Sequence, residues 1–368
     1  MKIAFDLRRI GNVGVGRYMT CLVNAITELA PQHNYLFIMA PGTEHLLRCR
    51  NGGETVVSPA AYYSIAEQAA IPKLLKKRKV DLFHALHFVV PLVKVCPTLV
   101  TLHDAIHFLY PQDLPSWGGR LYAKFMMIAA GHIADRIITV SDYSKRDLVR
   151  YLHVAPTKIT TTYCLLDPRF APVQDTALLA QIRKKLGVSE NFLLYVGIFK
   201  ERKNHIGLLN ALAILRARGI RAPLVIAGPL GSGAERLRQK AVDLGIADDV
   251  VFAGLVSDEE LPALYSAAKT YVCPSLYEGF GQTLVEAMAC GTPVVSHNGT
   301  SLPEVCGDAA LFADAKDPAE FAEQIQRSIE DANLRSLLIA NGYKNVARFN
   351  AKSVADRTLC LYQELLGI

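Results

Sequence analysis

The sequence predicts an α/β protein built from two doubly wound domains, each a parallel sheet with helices on both faces. The length of 368 residues fits two domains better than one or three. Short apolar stretches alternate with amphipathic ones, which is the pattern of strands and helices in covered parallel sheets. This alternation runs through both halves of the chain. The composition, 51% hydrophobic and 20% charged, supplies enough apolar residues for two packed cores.

The first half begins with an apolar stretch that predicts a buried strand at residues 2–6. A helix is expected at residues 14–29, because Leu22, Val23, Ile26 and Leu29 recur at helical spacing. Another helix should follow Ser141, a residue type that caps helix N-termini well. Further strands are predicted at residues 35–39, 82–84, 98–102 and 136–140.

The second half repeats the rhythm. Strands are predicted at residues 192–196, 224–227, 250–253, 270–272 and 293–296. Helices are predicted at residues 205–218, 234–244, 258–267 and 284–289, and Gly219 and Gly245 close two of them. Short turns marked by glycine between such elements indicate a second parallel sheet.

The expected junction between the domains is the segment 167–172, because its two prolines stiffen a connector. The predicted domains are therefore residues 1–168 and 173–350. Ligands of doubly wound sheets bind outside the carboxyl ends of the strands. Two facing domains of this kind predict a cleft between them.

Several classes of protein are excluded or disfavoured. No apolar run approaches the ~18 residues of a spanning helix, and Asp6, Arg8 and Arg9 interrupt any signal-peptide pattern, so a cytoplasmic protein is expected. The eight cysteines are scattered without a C-x-x-C pair, which indicates buried thiols rather than a disulfide framework or a zinc site.

The positive charge is concentrated in the first half. Residues 1–170 hold 20 Lys and Arg against 12 Asp and Glu, whereas the remainder holds 20 against 22. This asymmetry indicates an anionic partner for the first half. The basic run at residues 73–79 fits either anionic lipid headgroups or a solvated helix face. No nucleic-acid partner is expected, because aromatic residues are not interleaved with the charges.

The most informative segment spans residues 274–293. Glu278, Gly279 and Gly281 lie between a predicted strand and a helix that should begin near Thr283. Glycines at a helix N-terminus let backbone N–H groups approach an anion, while carboxylates accept hydrogen bonds from sugar hydroxyls. With Glu286 expected in the first helical turn, the segment predicts a phosphate flanked by polyols, as in a nucleotide sugar. The alternative is that Glu286 stabilises the helix N-terminus and Glu278 is an ordinary loop carboxylate.

A cationic segment follows the first strand of the second half. Gly197 is followed by Lys200, Arg202 and Lys203 just before a predicted helix. Cations are unfavourable at that end of a helix dipole, so they fit a pyrophosphate clamp. The alternative is a basic surface turn, with Asn204 as a simple N-cap.

Two further segments lie in the first half. His103 and Asp104 end an apolar strand, where His103 can bond a sugar hydroxyl or a phosphate, or be a satisfied core histidine. The glycines around Gly14 and Gly16 do not match G-x-G-x-x-G, which argues against a nicotinamide cofactor; they fit a loop over a phosphate or sugar. No G-x-S-x-G elbow and no convincing metal-ligand spacing is present.

Five segments together form a set of sequence signatures. Two lie in the second half of the chain, Glu278-Gly-Phe-Gly281 with Glu286 and the Gly-Thr-Pro after it, and Tyr195-Val-Gly with Arg202-Lys203-Asn204. Three lie in the first half, Val13-Gly-Val-Gly-Arg-Tyr18, Thr101-Leu-His-Asp104 with Tyr110-Pro111, and Val140-Ser-Asp-Tyr-Ser-Lys-Arg-Asp147. In this order they resemble the signatures of retaining glycosyltransferases of the GT-B fold, in the family-four group that includes bacterial mannosyltransferases and O-antigen or polysaccharide enzymes.

This resemblance implies roles for the matching residues. Glu278 would contact hydroxyls of the transferred sugar, Glu286 would hold the ribose, and Arg202 and Lys203 would stabilise the departing diphosphate. His103 would contact the donor sugar or its phosphate. The other implied donor-binding residues are Gly14, Gly16, Gly197, Val256 (near the nucleobase), Gly279, Phe280, Gly281, Gln282 and Thr283. Gln282 and Thr283 replace the family's frequent Leu-Pro, which weakens any inference about the sugar.

The resemblance also implies an activity. It predicts transfer with retention, without a metal ion or other cofactor, from a nucleotide sugar to a glycan acceptor bound by the first domain. GDP-mannose and a lipid-linked acceptor at the cytoplasmic face of the inner membrane are the first expectations. UDP-glucose, GDP-fucose or a dTDP-rhamnose type of donor, and a non-catalytic glycan-binding member, are the alternatives. The segment 351–368 would be a helix that crosses back to the first domain.

Overall fold

The computed structural model of the chain describes residues 1–12, 14–47, 49 and 52–368. Unit 1 comprises Met1–Leu165 together with Phe349–Ile368, and unit 2 comprises Leu166–Arg348. Each unit contains its own parallel β-sheet. Within the described part of the chain, no helix is both long enough and apolar enough to cross a bilayer.

The sheet of unit 1 has the strand order β3-β2-β1-β4-β5-β6-β7 and is parallel throughout. Its interior strand β1 pairs Ile3 with Tyr35 of β2 on one side and with Leu82 of β4 on the other. The strands are β1 Lys2–Asp6, β2 Asn34–Met39, β3 Glu54–Val57, β4 Leu82–Ala85, β5 Thr98–Thr101, β6 Arg136–Thr139 and β7 Ile159–Thr161.

The helices of unit 1 cover both faces of this sheet. They are α1 Val15–Leu29, α2 Ile65–Lys77, α3 Ile106–Leu109, α4 Trp117–Ile133 and α5 Asp142–Leu152, with 3₁₀ turns at Glu44–Leu46, Pro111–Asp113 and Pro156–Lys158. Helices α2, α4 and α5 bury residues such as Leu75, Met126 and Leu148 in one apolar cluster with the sheet. Strand β1 is buried on both faces, which explains why it reads as an apolar run.

The sheet of unit 2 has the order β10-β9-β8-β11-β12-β13 and is also parallel. Its strands are β8 Leu193–Val196, β9 Leu224–Ala227, β10 Val250–Gly254, β11 Thr270–Cys273, β12 Val294–His297 and β13 Ala310–Ala313. Its helices are α6 Thr176–Leu186, α7 His205–Ala217, α8 Ser232–Asp243, α9 Leu261–Ala267, α10 Gln282–Ala289, α11 Leu302–Cys306, α12 Pro318–Glu330 and α13 Ala332–Val346. Further 3₁₀ turns lie at Glu201–Lys203, Ala247–Asp249 and Ala347–Phe349.

The last helix, α14 Ala351–Leu366, belongs to unit 1 and packs against α1. Its Tyr362 is fully buried, and the Tyr362 hydroxyl lies 2.7 Å from Nδ1 of His84 on β4. The far end of the sequence therefore completes the core of the first sheet.

The segment 167–172, expected from its prolines as the junction, belongs to unit 2 from Leu166 onward. The reason is packing: Phe170 is buried, with its ring edge-to-face against Tyr265 and the ring centroids 6.0 Å apart. The two crossings of the chain between units fall between Leu165 and Leu166 and between Arg348 and Phe349.

Candidate nucleotide-sugar site

Unit 2 contains a topological switch point between two neighbouring strands. From β8 the chain moves to β9 and β10 on one side, whereas β11 is followed by β12 and β13 on the other side. The loops after β8 and β11 therefore leave the carboxyl edge of the sheet in opposite directions. A crevice forms at such a point, and ligands of doubly wound sheets bind there. The expected residues Gly197, Arg202, Lys203 and Glu278 all lie on these two loops.

An ion-pair cluster occupies this switch point. Lys203 Nζ contacts Glu278 Oε1, and Arg202 Nη1 lies 3.8 Å from Glu278 Oε2. The three side chains are 11–15% exposed, so the cluster is shielded from solvent without being sealed from it. Lys203 and Glu278 are 75 positions apart in sequence, and the strand order brings them together. Two fixed cations and one carboxylate thus meet at the predicted ligand position.

The Glu278 carboxylate is ionised at neutral pH. Burial alone would raise the pKa of Glu278, but the positive charges of Lys203 and Arg202 outweigh that effect and hold the pKa below its usual value. The carboxylate is therefore a hydrogen-bond acceptor, which suits hydroxyl groups and excludes a role as a phosphate ligand.

Hydrogen bonds to backbone carbonyls fix the positions of the two loops. The Leu276 N–H donates to the Arg202 carbonyl at 2.8 Å, and Arg202 Nη1 donates to the Tyr277 carbonyl at 3.2 Å. The Ser301 hydroxyl donates to the Glu278 carbonyl at 2.9 Å. These bonds fix the position of Glu278 through groups on three different segments.

The loop after β11 ends at Gly281, the N-cap of α10. Gly281 has a φ of 91°, and a Cβ there would lie 2.6 Å from Leu284 Cδ1. Only glycine meets both conditions without strain. Gln282 and Thr283, both half-buried, form the first two residues of α10, whereas Gly279 and Phe280 are buried in the loop. The backbone of this expected anion-binding segment thus leads directly into a helix N-terminus.

Glu286 lies one residue further along α10 than the sequence indicates. The helix begins at Gln282 rather than near Thr283, so Glu286 is in the second turn and not the first. Its side chain is fully buried, and its Oε2 accepts a hydrogen bond from the Tyr265 hydroxyl at 3.1 Å. Glu286 therefore does not act as an exposed N-terminal helix charge. Tyr265 could not be recognised as its partner from sequence spacing.

Close backbone approaches shape the rest of this edge. A side chain at Gly228, directly after β9, would overlap the carbonyl oxygen of Gly197. The Gly228 N–H donates to the Gly254 carbonyl at 2.8 Å, and Val256 follows Gly254 by two residues in a half-buried position. Gly228 and Gly254 were not predicted as site residues. The Gly-Pro that directly follows the strand at residues 224–227 is the sequence signal that could have identified the first of them.

Asn204 caps α7 and links the cationic loop to the body of unit 2. Its Oδ1 accepts from the Gly207 N–H at 3.3 Å, and its Nδ2 donates to the Ala315 carbonyl at 2.7 Å. The backbone of Asn204 is left-handed, with a φ of 51°, which asparagine tolerates better than most residues. Asn204 is therefore the N-cap that the alternative interpretation proposed, and it directly follows Lys203 at the switch point.

Unit 1 has a switch point of its own between β1 and β4, and His103 lies just after the neighbouring strand β5. Its ring packs edge-to-face on Tyr18, with centroids 4.7 Å apart. Its Nε2 is buried without a hydrogen-bond partner among the described residues. Burial lowers the pKa of His103, although Asp104 and a hydrogen bond to the Leu86 backbone act in the other direction. A neutral ring that donates from Nδ1 to a carbonyl leaves Nε2 as an acceptor.

The expected glycine loop of unit 1 is partly structural. Gly16 is buried within α1, and a side chain there would overlap the Ile10 carbonyl, so this glycine is explained by packing. Gly14, with a φ of 82°, is exposed at the N-cap of α1. Val13, the first residue of that signature, lies outside the described residues.

A buried ionic network that the sequence did not indicate lies after β1. Arg8 donates to Asp6 from Nε at 2.9 Å and from Nη2 at 2.7 Å, and to Glu67 from Nη1 at 2.8 Å. Arg9 follows, with its guanidinium 5.3 Å from the ring centroids of both Tyr62 and Tyr63. Arg8 is thus neutralised, whereas Arg9 has no acidic partner within ion-pair distance in the described part of the chain.

The described residues contain neither a cluster suited to a metal ion nor a disulfide. Over the described ranges, no group of three His, Cys, Asp or Glu side chains is placed to hold a metal ion. All eight cysteines are free thiols, and four of them are buried. The prediction of buried thiols therefore holds for these four, whereas Cys21, Cys49 and Cys96 are half-buried and Cys360 is exposed.

Two protein-family models match the chain, one after the other. The family described as Glycosyltransferase Family 4 matches residues 14–170, and the family described as Glycosyl transferases group 1 matches residues 180–345. The second range contains the ion-pair cluster at the switch point of unit 2.

Two curated relatives are about a third identical to the chain over the aligned residues. The O-antigen chain mannosyltransferase B of Escherichia coli is 33% identical over 293 residues, which cover 79% of this chain and 76% of that protein. The D-inositol 3-phosphate glycosyltransferase of Acidothermus cellulolyticus is 31% identical over 295 residues, which cover 76% of this chain and 63% of the relative. The match thus leaves more than a third of the second relative uncovered.

A solved structure has the same fold. Anabaena HepE, in complex with UDP and glucose, matches with a TM-score of 0.80 at 22% identity, over 99% of this chain and 100% of that one. At this identity the likeness shows the fold alone. Together with the two family models and the Escherichia coli relative, it shows that the chain is a glycosyltransferase and belongs to family four of the GT-B glycosyltransferases.

Proposed function

We propose that the protein is a retaining mannosyltransferase that moves mannose from GDP-mannose to a lipid-linked oligosaccharide or polysaccharide. The identity to an O-antigen chain mannosyltransferase over most of both chains supports mannose as the sugar and a growing glycan as the acceptor. The choice of GDP follows from mannose, whose usual activated form is GDP-mannose.

The observation that carries the proposal is the cluster of Arg202, Lys203 and Glu278 at the switch point of unit 2. Transfer of a sugar from a nucleoside diphosphate develops negative charge on the departing diphosphate. Two fixed cations stabilise that charge without reorganisation during the reaction. In this proposal the diphosphate takes the place of Glu278 as partner of Lys203, and the released carboxylate accepts hydrogen bonds from sugar hydroxyls.

The remaining donor contacts follow from the same geometry. The N-terminus of α10, reached through Gly279, Phe280 and Gly281, offers backbone N–H groups to phosphate oxygens. Gly197 allows close approach from the other loop, and Val256 lies where the nucleobase is expected. Glu286 holds the ribose hydroxyls, which requires its carboxylate to turn from Tyr265 toward the ligand.

We further propose that the reaction needs no metal ion and retains the anomeric configuration. Arg202 and Lys203 supply the positive charge that a divalent cation provides elsewhere. The acceptor hydroxyl attacks the anomeric carbon on the face from which the diphosphate leaves, and the departing diphosphate oxygen takes the hydroxyl proton. His103 contributes Nε2 as a hydrogen-bond acceptor, so we assign it to a hydroxyl and not to a phosphate.

Unit 1 is proposed to bind the acceptor at the cytoplasmic face of the inner membrane. The excess of positive charge in residues 1–170 supports an anionic lipid-linked acceptor close to an anionic bilayer. Arg9, which has no acidic partner in the described part of the chain, adds positive charge at the carboxyl edge of the first sheet.

The direct test offers the purified protein GDP-mannose, GDP-fucose, UDP-glucose and dTDP-rhamnose, each with a synthetic polyprenyl-diphosphate-linked mannoside and with EDTA present. We expect a new α-mannoside from GDP-mannose alone, identified by the one-bond C–H coupling of its anomeric carbon. A product from UDP-glucose would show that the donor is not GDP-mannose, and the proposed mechanism would apply to the other donor. A β-mannoside would overturn retention, and no product from any donor would favour a non-catalytic glycan-binding protein.

Arg202→Gln tests the role of the cluster in the same assay. Loss of one fixed charge that stabilises the departing diphosphate should lower turnover by about 10²-fold. Arg216→Gln removes a charge from an exposed ion pair on α7 and should leave turnover unchanged. Equal turnover in the two variants would contradict the diphosphate assignment.

A further inference from the structure

Helix α4 of unit 1 presents an apolar stripe to the solvent. Trp117 is 74% exposed, Phe125 is 57% exposed, and Leu121 and Ile128 are 49% and 40% exposed. Their spacing of four, four and three residues places them on one face of the helix. The opposite face, including Met126 and Met127, packs into the core. Helix α4 is thus apolar on both sides, whereas surface helices normally place polar residues outward.

The charges around this stripe are positive. Helix α4 contains Arg120 and Lys124 and no acidic residue. Arg120 donates from Nε to the Leu114 carbonyl at 2.9 Å, and Lys124 Nζ lies 5.8 Å from the Phe108 ring centroid. Neither has an acidic partner within ion-pair distance in the described part of the chain. A partner for this surface must therefore accept both apolar and positive groups.

Helix α2 lies beside α4 on the same side of the sheet. The Tyr122 hydroxyl of α4 donates to Glu67 of α2 at 3.1 Å, and both helices contribute to one apolar cluster. The outer side of α2 begins with Ile65, which is 90% exposed. It continues with lysines that are exposed and have no acidic partner in the described residues, namely Lys73, Lys76 and Lys77.

We propose that the outward faces of α4 and α2 form the surface by which the protein docks on an anionic lipid bilayer. Trp117, Leu121, Phe125 and Ile128 enter the boundary between headgroups and acyl chains, and the lysines of α2 contact the headgroups. Large aromatic and aliphatic residues on one face with basic residues at its margin are the composition of interfacial helices. A second copy of the chain is a poorer occupant, because a symmetric contact would bring the same cations together.

This inference rests on the membrane contact of the proposed function and assigns it to a surface. Its test contains no sugar donor or acceptor. If the protein does not bind vesicles, it can still transfer sugar to a water-soluble acceptor. If it transfers no sugar, it can still bind vesicles, so the two results are distinguishable.

The chain provides its own probe, because Trp117 is the only tryptophan. The full chain is mixed with vesicles of phosphatidylglycerol and phosphatidylethanolamine, or of phosphatidylcholine alone, and tryptophan emission is recorded. We expect a shift to shorter wavelength with the anionic vesicles, quenching by brominated acyl chains, and loss of both at high salt. Unchanged emission with anionic vesicles would overturn the proposal.

A matched pair of double variants distinguishes docking through this surface from non-specific hydrophobic binding to vesicles. Leu121→Gln with Phe125→Gln should weaken the vesicle partition coefficient by about tenfold or more, since two apolar contacts are lost. Val242→Gln with Leu337→Gln changes residues of unit 2 that are 58% and 56% exposed, and should leave partitioning unchanged. Equal partitioning of the two double variants would contradict docking through α4. So would a dimer of the wild type that Leu121→Gln with Phe125→Gln dissociates, if vesicles bind neither the wild type nor that variant.

Discussion

Glu286 is the residue whose surroundings carry the most information about the nucleotide. Carboxylates are almost never fully buried unless they are paired, and this one is fully buried with the Tyr265 hydroxyl 3.1 Å from its Oε2. A purely structural role would be met by internal hydrogen bonds such as this one. A ribose contact requires that the carboxylate also serve the ligand.

The two roles predict different results for nearby substitutions. Glu286→Gln should weaken GDP binding by about tenfold or more, because hydrogen bonds to a charged acceptor contribute about 1.5–3 kcal/mol. Tyr265→Phe removes one internal hydrogen-bond partner of Glu286 and should keep GDP affinity close to that of the wild type. Calorimetric titration gives the affinity, and thermal unfolding without ligand reports the structural effect. Lower stability with unchanged GDP affinity in the Glu286 variant would contradict the ribose role.

At the scale of elements, α14 is tied to the first sheet through a buried histidine. His84 on β4 lies 2.7 Å from the Tyr362 hydroxyl through Nδ1 and 2.9 Å from the Thr101 hydroxyl through Nε2. Burial lowers the pKa of His84 to about 3, so its ring is neutral in the folded protein. In the unfolded chain this residue takes up a proton near pH 6.5. In the folded protein it stays neutral until the pH is much lower.

This arrangement predicts that the free energy of unfolding decreases as the pH is lowered. The contribution of His84 is complete above pH 6.5 and decreases by about 1.4 kcal/mol per pH unit below it, until the folded pKa is reached. Between pH 7 and pH 5 the loss from this residue is about 2 kcal/mol. Urea unfolding measures the free energy of unfolding at pH 7 and at pH 5. For His84→Asn the decrease between the two should be smaller than for the wild type by that amount. An unchanged difference would mean that His84 is protonated in the folded state.

The predicted elements were correct where strands are central and helices are amphipathic. Strand β1 and the interior strands β8, β9, β11 and β12 are apolar runs, as is the edge strand β10. Ser141 caps α5 as expected by accepting from the Ser144 N–H at 3.0 Å. The strands without a prediction, β3, β7 and β13, are edge strands. An edge strand has solvent beside it and needs no continuous apolar run, as the half-exposed pattern of β3 illustrates.

Helix α4 was not predicted for a different reason. The helical period is visible only when one face is polar. Because Leu121 and Phe125 face the solvent while Met126 and Met127 face the core, the periodic contrast of the segment is lost. The missed helix and the proposed membrane surface therefore have the same physical origin.

At the scale of the whole molecule, each unit repeats the same principle, a parallel sheet with one switch point at its carboxyl edge. The sequence predicted site residues at these edges, because glycines, cations and carboxylates directly after strands are groups that can bind anions and hydroxyls. It did not identify which of them meet. The contact of Lys203 with Glu278 and that of Ser301 with the Glu278 carbonyl depend on strand order, which residue spacing does not reveal.

The central claim is that unit 2 binds the nucleoside diphosphate of a sugar donor, with its cations taking the place of a metal ion. The most direct test is thermal unfolding of the full chain with GDP, UDP, dTDP, ADP or CMP in the presence of EDTA. A ligand at about 100 times its dissociation constant stabilises the folded protein by about 2.7 kcal/mol. We expect a clear rise in Tm with GDP and little or none with the other four nucleotides. An unchanged Tm with all five would contradict the claim.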